Sequence, residues 1–168
     1  MGEAKIYRGM KYASYMIWPV RTQDIKPGSL FKTGQKYCFD ESGQRKECRG
    51  SMQEASVNGG KPWPRPRFDV QQETVTDHMT GLTWMKRADA AGRTVAWQEA
   101  FGFIERINRD AASGFTDWRI PHIRELESLV DLGSHSPALP SKKLFENIRD
   151  FYWSATRSRY ETRYAWAL

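Results

Sequence analysis

The sequence predicts an α+β domain with two helices packed on a mainly antiparallel, loop-rich sheet. Three observations carry that prediction. TVTDHMTGLTWMK at 74–86 alternates like a hairpin; Trp97, Ala100, Phe101, Ile104 and Ile107 recur at helical spacing; and FYWSAT (151–156) and YAWAL (164–168) are aromatic, apolar runs of strand length. Aromatic residues make up 13% of the chain and include seven Trp. A core carried by large rings needs acceptors for its indole N–H groups and suits a loop-rich fold better than a helical bundle. The 168 residues suffice for one domain with a real core plus an arm.

Taken in order, IYRGMKYASYMIWPVR (6–21) is aromatic and β-branched around Gly9-Met10-Lys11 and reads as one or two strands. Residues 22–36 contain Pro27, Gly28 and Gly34 and read as a linker. Cys38 and Cys48 lie ten apart around FDESGQRKE, whose centre is turn chemistry, which predicts a hairpin closed by a disulfide. A pair of free thiols and half of a metal site are the alternatives, and no CxxC or clustered His completes the latter. NGGKPWPRPRF (58–68) runs extended over the surface, with Trp63 and Phe68 seeking burial. The 74–86 hairpin turns at His78–Gly81. Thr94 is the expected N-cap of the first helix. A second, shorter helix follows Pro121, with Ile123, Leu126, Leu129 and Val130 on one face. GFTDWRIP (114–121) delivers the chain into it, and RSRYETR (157–163) is a basic, aromatic-tipped loop between the last two strands.

The net charge of +6 is uneven, because residues 1–36 hold seven Lys or Arg against two acids while the remainder holds 19 against 18. Basicity is thus a property of the arm, and no nucleic-acid motif accompanies it, so no nucleic-acid partner is expected. No apolar run approaches the roughly 20 residues that span a bilayer, and residues 1–11 lack the order of a signal peptide. Neither membrane insertion nor an export signal is expected from the chain as given. His78, His122 and His135 show no metal-binding or nucleophile-activating spacing, and Asp77, Asp117 and Asp131 form no pair that spacing alone identifies. No acidic loop is dense enough for the about six to eight oxygens of a calcium site. The expectation is a protein that is not an enzyme, with no catalytic residues, no metal and no cofactor. Binding is better supported, since Arg157, Arg159, Tyr160 and Arg163 place three guanidinium groups and a ring within seven residues held between two strands.

TGQKYCFDESG with Cys48, WPRPRF, TVTDHMTGLTWMK, VAWQEA, GFTDWRIP, RELESLVD, FYWSAT and YAW, in that order over about residues 33–168, resemble the bacterial domain family named after the C-terminal domain of a Legionella collagen-like adhesin. The resemblance implies a C-type-lectin-like fold, an extracellular, cell-surface or periplasmic location, and binding of ligands, sulfated glycans among them. On that basis Trp118 is a core ring, with Asp117 and Arg119 as a local polar tie. Family domains continue past the YAW strand to a closing strand that ends in Val-Arg, whereas this chain stops at Leu168 and carries a similar run, IWPVR, at 17–21. The expected organisation is therefore a strand arm over 1–21 that resembles a closing strand, a linker over 22–36 and the family-like domain over 37–168. The arm either closes the sheet in permuted order or is the tail of a preceding repeat. The expected partners are an acidic glycan or other surface ligand bound at the 157–163 loop and, in an alternative role as an assembly module, a second subunit or neighbouring repeat joined by strand exchange.

Overall fold

The computed structural model describes residues 7–10, 14–22, 31–40, 44–51, 53–57 and 61–168. Its elements are β1 (Tyr7–Met10), β2 (Ser14–Tyr15), β3 (Val20–Thr22), β4 (Cys38–Phe39), β5 (Arg45–Lys46), α1 (Glu54–Val57), β6 (Phe68–Val70), β7 (Thr74–Asp77), β8 (Leu82–Met85), β9 (Val95–Ala96), α2 (Trp97–Arg109), α3 (Ile123–Ser128), β10 (Trp153–Arg157) and β11 (Tyr164–Ala167). All strand pairs are antiparallel, in a four-stranded sheet β3-β8-β7-β6, a three-stranded sheet β1-β11-β10 and the pairs β2-β9 and β4-β5. The α+β class expected from the sequence is the one observed.

The β7–β8 hairpin turns at His78–Gly81 as expected. Gly81 has φ +73°, the left-handed region that a residue without Cβ enters freely, and its N–H donates to the Asp77 carbonyl at 2.7 Å. All four residues of β8 are buried, polar Thr83 included, so both faces of this strand are covered.

Two clusters fill the interior. Trp18, Val75, Leu82, Trp84, Leu126, Leu129, Phe145 and Tyr152 build one, and Ile17, Val95, Ala100, Ile104, Trp118, Trp153, Ala165 and Ala167 the other. An extended chain sends successive side chains to opposite faces, and Met16, Ile17 and Trp18 follow that rule: Met16 and Trp18 enter the first cluster, Ile17 the second. The arm is thus a wedge between the two cores. Backbone bonds hold it, from Met16 N to Phe151 O (3.0 Å), Trp153 N to Met16 O (2.8 Å) and Met85 N to Pro19 O (3.2 Å). On either side of the wedge, β1 pairs with β11, β2 with β9 and β3 with β8, all within one chain.

The expected demand for indole acceptors is met at Trp18 (Met85 O, 3.0 Å), Trp63 (Lys32 O, 2.6 Å), Trp97 (Ser154 O, 2.9 Å), Trp118 (Ala112 O, 2.9 Å) and Trp153 (Val95 O, 3.0 Å). The buried Trp84 Nε1 has no partner among the described residues.

Helix α2 starts later than predicted. Thr94 is not its N-cap; Ala96 is, because Val95 and Ala96 are drawn into pairing with Tyr15 and Ser14 of the arm. A distant strand thereby outcompetes a local capping preference. The second helix begins after Pro121, with His122 at the N-cap and its backbone N–H donating to Glu125 Oε2 at 2.9 Å, but it ends at Ser128, so Leu129 and Val130 follow it rather than belong to it.

The cysteine reading holds: Cys38 and Cys48 form a disulfide across the β4–β5 hairpin, whose tip residues 41–43 lie outside the described set. Residues 23–30 of the expected linker also lie outside it, as do Lys11 of the expected Gly-Met-Lys turn and residues 58–60. Residues 31–36 pack against the body. Lys32 N donates to Lys61 O at 3.1 Å, Leu132 N donates to Thr33 O at 2.9 Å, and a Cβ on Gly34 would lie 2.0 Å from Asp131 Oδ1.

Candidate binding loop

The loop 157–163 leaves β10 and returns in β11, with Arg157 opposite Ala165. Ser158 is its internal anchor: it is buried, its N–H donates to Tyr164 O at 2.9 Å and its Oγ accepts from Glu161 N at 3.2 Å. Tyr164 N donates to Glu161 O at 3.0 Å. These bonds fix a small loop whose remaining side chains face solvent. Tyr160 is 93% exposed, so an amphipathic ring of the kind that normally covers apolar surface stands free at the tip.

The three arginines are not equivalent. Arg163 forks onto Glu161, Nε to Oε1 and Nη2 to Oε2, each at 3.1 Å, and its backbone N–H reaches Oε1 at 3.3 Å. The Arg163 side-chain bond, then its backbone bond, hold the Glu161 carboxyl below the usual glutamate range against the opposing effect of desolvation. The exposed Arg157 and Arg159 have no ion-pair partner among the described residues. The loop thus offers two open guanidiniums and one that is internally balanced. Sequence reasoning counted three and passed over the Glu161-x-Arg163 spacing that balances one of them.

Asp77, Asp131 and Arg119 of the sequence reading have structural partners. Asp77 is fully buried against Arg67, with Nε to Oδ1 at 3.1 Å and Nη2 to Oδ2 at 3.0 Å, and Arg67 Nη2 also donates to Ser128 O at 2.6 Å. The Arg67 guanidinium lies 4.4 Å from the Trp63 ring centroid and 4.6 Å from that of Phe68. Asp131 accepts from Gly133 N (2.8 Å) and Ser134 Oγ (3.0 Å) and so shapes its own turn. Trp118 is a core ring, and Arg119 binds Glu125 of α3 through Nη1 (2.6 Å) and Nη2 (2.5 Å). Among the described residues no group of three or more His, Cys, Asp or Glu is arranged to hold a metal ion, and no helix is long and apolar enough to cross a membrane.

A network that spacing did not reveal surrounds Asp89, which is buried and accepts from Arg87 Nε (2.9 Å), Asn147 Nδ2 (3.1 Å) and Arg149 Nη2 (3.1 Å). Burial alone would raise this carboxyl, but the three donors and the Arg87 charge outweigh it and hold it below the usual aspartate range. Nearby, burial pushes the Tyr152 phenol well up, and its oxygen accepts from Arg149 N at 2.7 Å.

The model of the Lcl C-terminal domain matches residues 73–168, from the β7–β8 hairpin through α2, α3, β10 and the loop to β11. The chain belongs to this family. The 157–163 loop lies inside the matched region of the Lcl C-terminal domain, whereas the arm, the disulfide hairpin and the WPRPRF segment precede it. The family is associated with an adhesin and is not a known enzyme family. No curated protein and no solved structure matches the chain.

Proposed function

We propose that this Lcl C-terminal domain is a non-enzymatic recognition module of the cell surface that binds acidic or sulfated glycans through the 157–163 loop. The observation that carries the reading is the pair of guanidiniums, Arg157 and Arg159, without an ion-pair partner among the described residues, beside the 93% exposed Tyr160 ring, on a loop anchored by buried Ser158. Guanidinium forks match sulfate and carboxylate geometry, and a ring offers a face to the apolar side of a sugar. The adhesin-associated family supports a surface role, and the Cys38–Cys48 disulfide fits an oxidising compartment.

Retention on immobilised heparin tests the proposal. The protein should be held at low salt and eluted earlier as salt screens the contacts. Arg157→Ala with Arg159→Ala should abolish most of the retention and Arg163→Ala little of it. Equal retention of wild type and double variant would remove the loop from the proposal.

The alternative reading, an assembly module working by strand exchange, is favoured by one feature: β1, β2 and β3 engage β11, β9 and β8 through backbone pairing that a second chain's arm would satisfy equally well. Mass in solution that rises with concentration would favour it.

A further inference from the structure

Away from the loop, a cleft of 490 Å³ opens where the arm meets the body. That volume lies within the about 300–1,000 Å³ usual for small-ligand sites. Three segments distant in sequence line it, with Ser14 and Tyr15 from the arm, Thr94 from the turn before α2, and Arg149, Asp150 and Phe151 from the strap before β10. Phe151 is 37% exposed, and its ring lies 5.4 Å from that of Tyr15 at a 50° tilt, giving the cleft an aromatic wall.

The cations of the cleft are already matched. Arg149 is committed to Asp89, and Arg93, which also borders the cleft, pairs with Glu99. Among the described residues the Asp150 carboxylate and the Ser14 and Thr94 hydroxyls have no hydrogen-bond partner. What the cleft offers is a ring wall, one open carboxylate and two hydroxyls, with no uncompensated cation. Such a surface disfavours an anion and suits a ligand with an apolar face and a rim of hydroxyl donors, since a carboxylate accepts hydrogen bonds and a ring face attracts C–H groups.

We propose that this cleft is a second binding site, for one neutral sugar ring stacked on Phe151 and hydrogen-bonded by Asp150. A bound ring would touch arm and body at once. Met16 N donates to Phe151 O and Trp153 N to Met16 O at this seam, so occupancy should slow hydrogen exchange at both amides. The site stands independently of the acidic-glycan reading of the loop.

Glucose, galactose, mannose and N-acetylglucosamine, each titrated at millimolar concentration into the ¹⁵N-labelled chain, provide the test, with glucuronate as the charged control. At least one neutral sugar should shift the amides of Tyr15, Thr94 and Phe151, and glucuronate should do so less. Phe151→Ala and Asp150→Asn, both at exposed positions, should each weaken that binding by roughly tenfold, as expected for loss of one good contact. The variant Arg159→Ala should bind the sugar as wild type does, which separates the result from the loop. The proposal is overturned if none of the four sugars shifts these amides, if glucuronate binds more tightly, or if Phe151→Ala leaves the affinity unchanged.

Discussion

Arg67 and Asp77 are both almost fully removed from water, and their side-chain pair ties the segment before β6 to the β7–β8 hairpin. Removing one partner strands the other, so Arg67→Ala should destabilise the protein by about 3–5 kcal/mol. Replacing both with Met and Leu should cost far less, and denaturant midpoints of the two variants provide the comparison. Glu125 and Asp89 set a second expectation. Burial would raise the Glu125 carboxyl, but its bonds from Arg119 and from the His122 backbone, together with the Arg119 charge, hold it below its ordinary value of 4.5. Asp89 is held below its ordinary 3.8 by Arg87, Asn147 and Arg149 in spite of burial. For a folded-state pKa that is depressed, the stabilisation is fully present above the unfolded value and is lost as pH falls through the folded one. The melting temperature should therefore begin to decline as pH drops below 4.5, first through Glu125 and then through Asp89. Glu125→Gln should flatten the upper part of that decline in a calorimetric pH series.

Among the elements, the arm and the disulfide hairpin both stabilise the fold, the arm by more. Trp18 meets the rings of Trp84, Phe145 and Tyr152 at centroid distances of 5.6, 4.4 and 5.0 Å, so Trp18→Ala should cost about 3–5 kcal/mol. Deleting residues 1–22 should reduce stability and solubility further, since it also strips partners from β11, β9 and β8. A truncated chain that melts at the same temperature would contradict the wedge role. The hairpin closes only a short loop, and reduction of Cys38–Cys48 should cost about 2–3 kcal/mol, to be read from melting with and without reductant. The sequence made elements legible where the cause was local. The β7–β8 hairpin, the apolar face of α2 and the cysteine hairpin each follow from residues within a few positions of one another. The start of α2 did not, because the competitor of Thr94 as N-cap is a strand some 80 residues earlier in the chain.

For the molecule as a whole, the same division separates the two candidate sites. The 157–163 loop is one continuous run, so its arginines and ring are visible in the sequence, and the Arg163–Glu161 fork within it is local as well. The cleft assembles residues 14–16, 92–94 and 148–151, and no pattern within any one of them announces it. The wedge has a further consequence for the order in which the protein is made. Tyr7 pairs with Ala167, and Met16 bonds to Phe151 and Trp153, so β1 and the arm meet these partners only after the segment from Phe151 to Ala167 has been translated. Neither core can be sealed until that segment has emerged, and the aromatic residues of the arm must wait exposed or be sheltered by a holding factor.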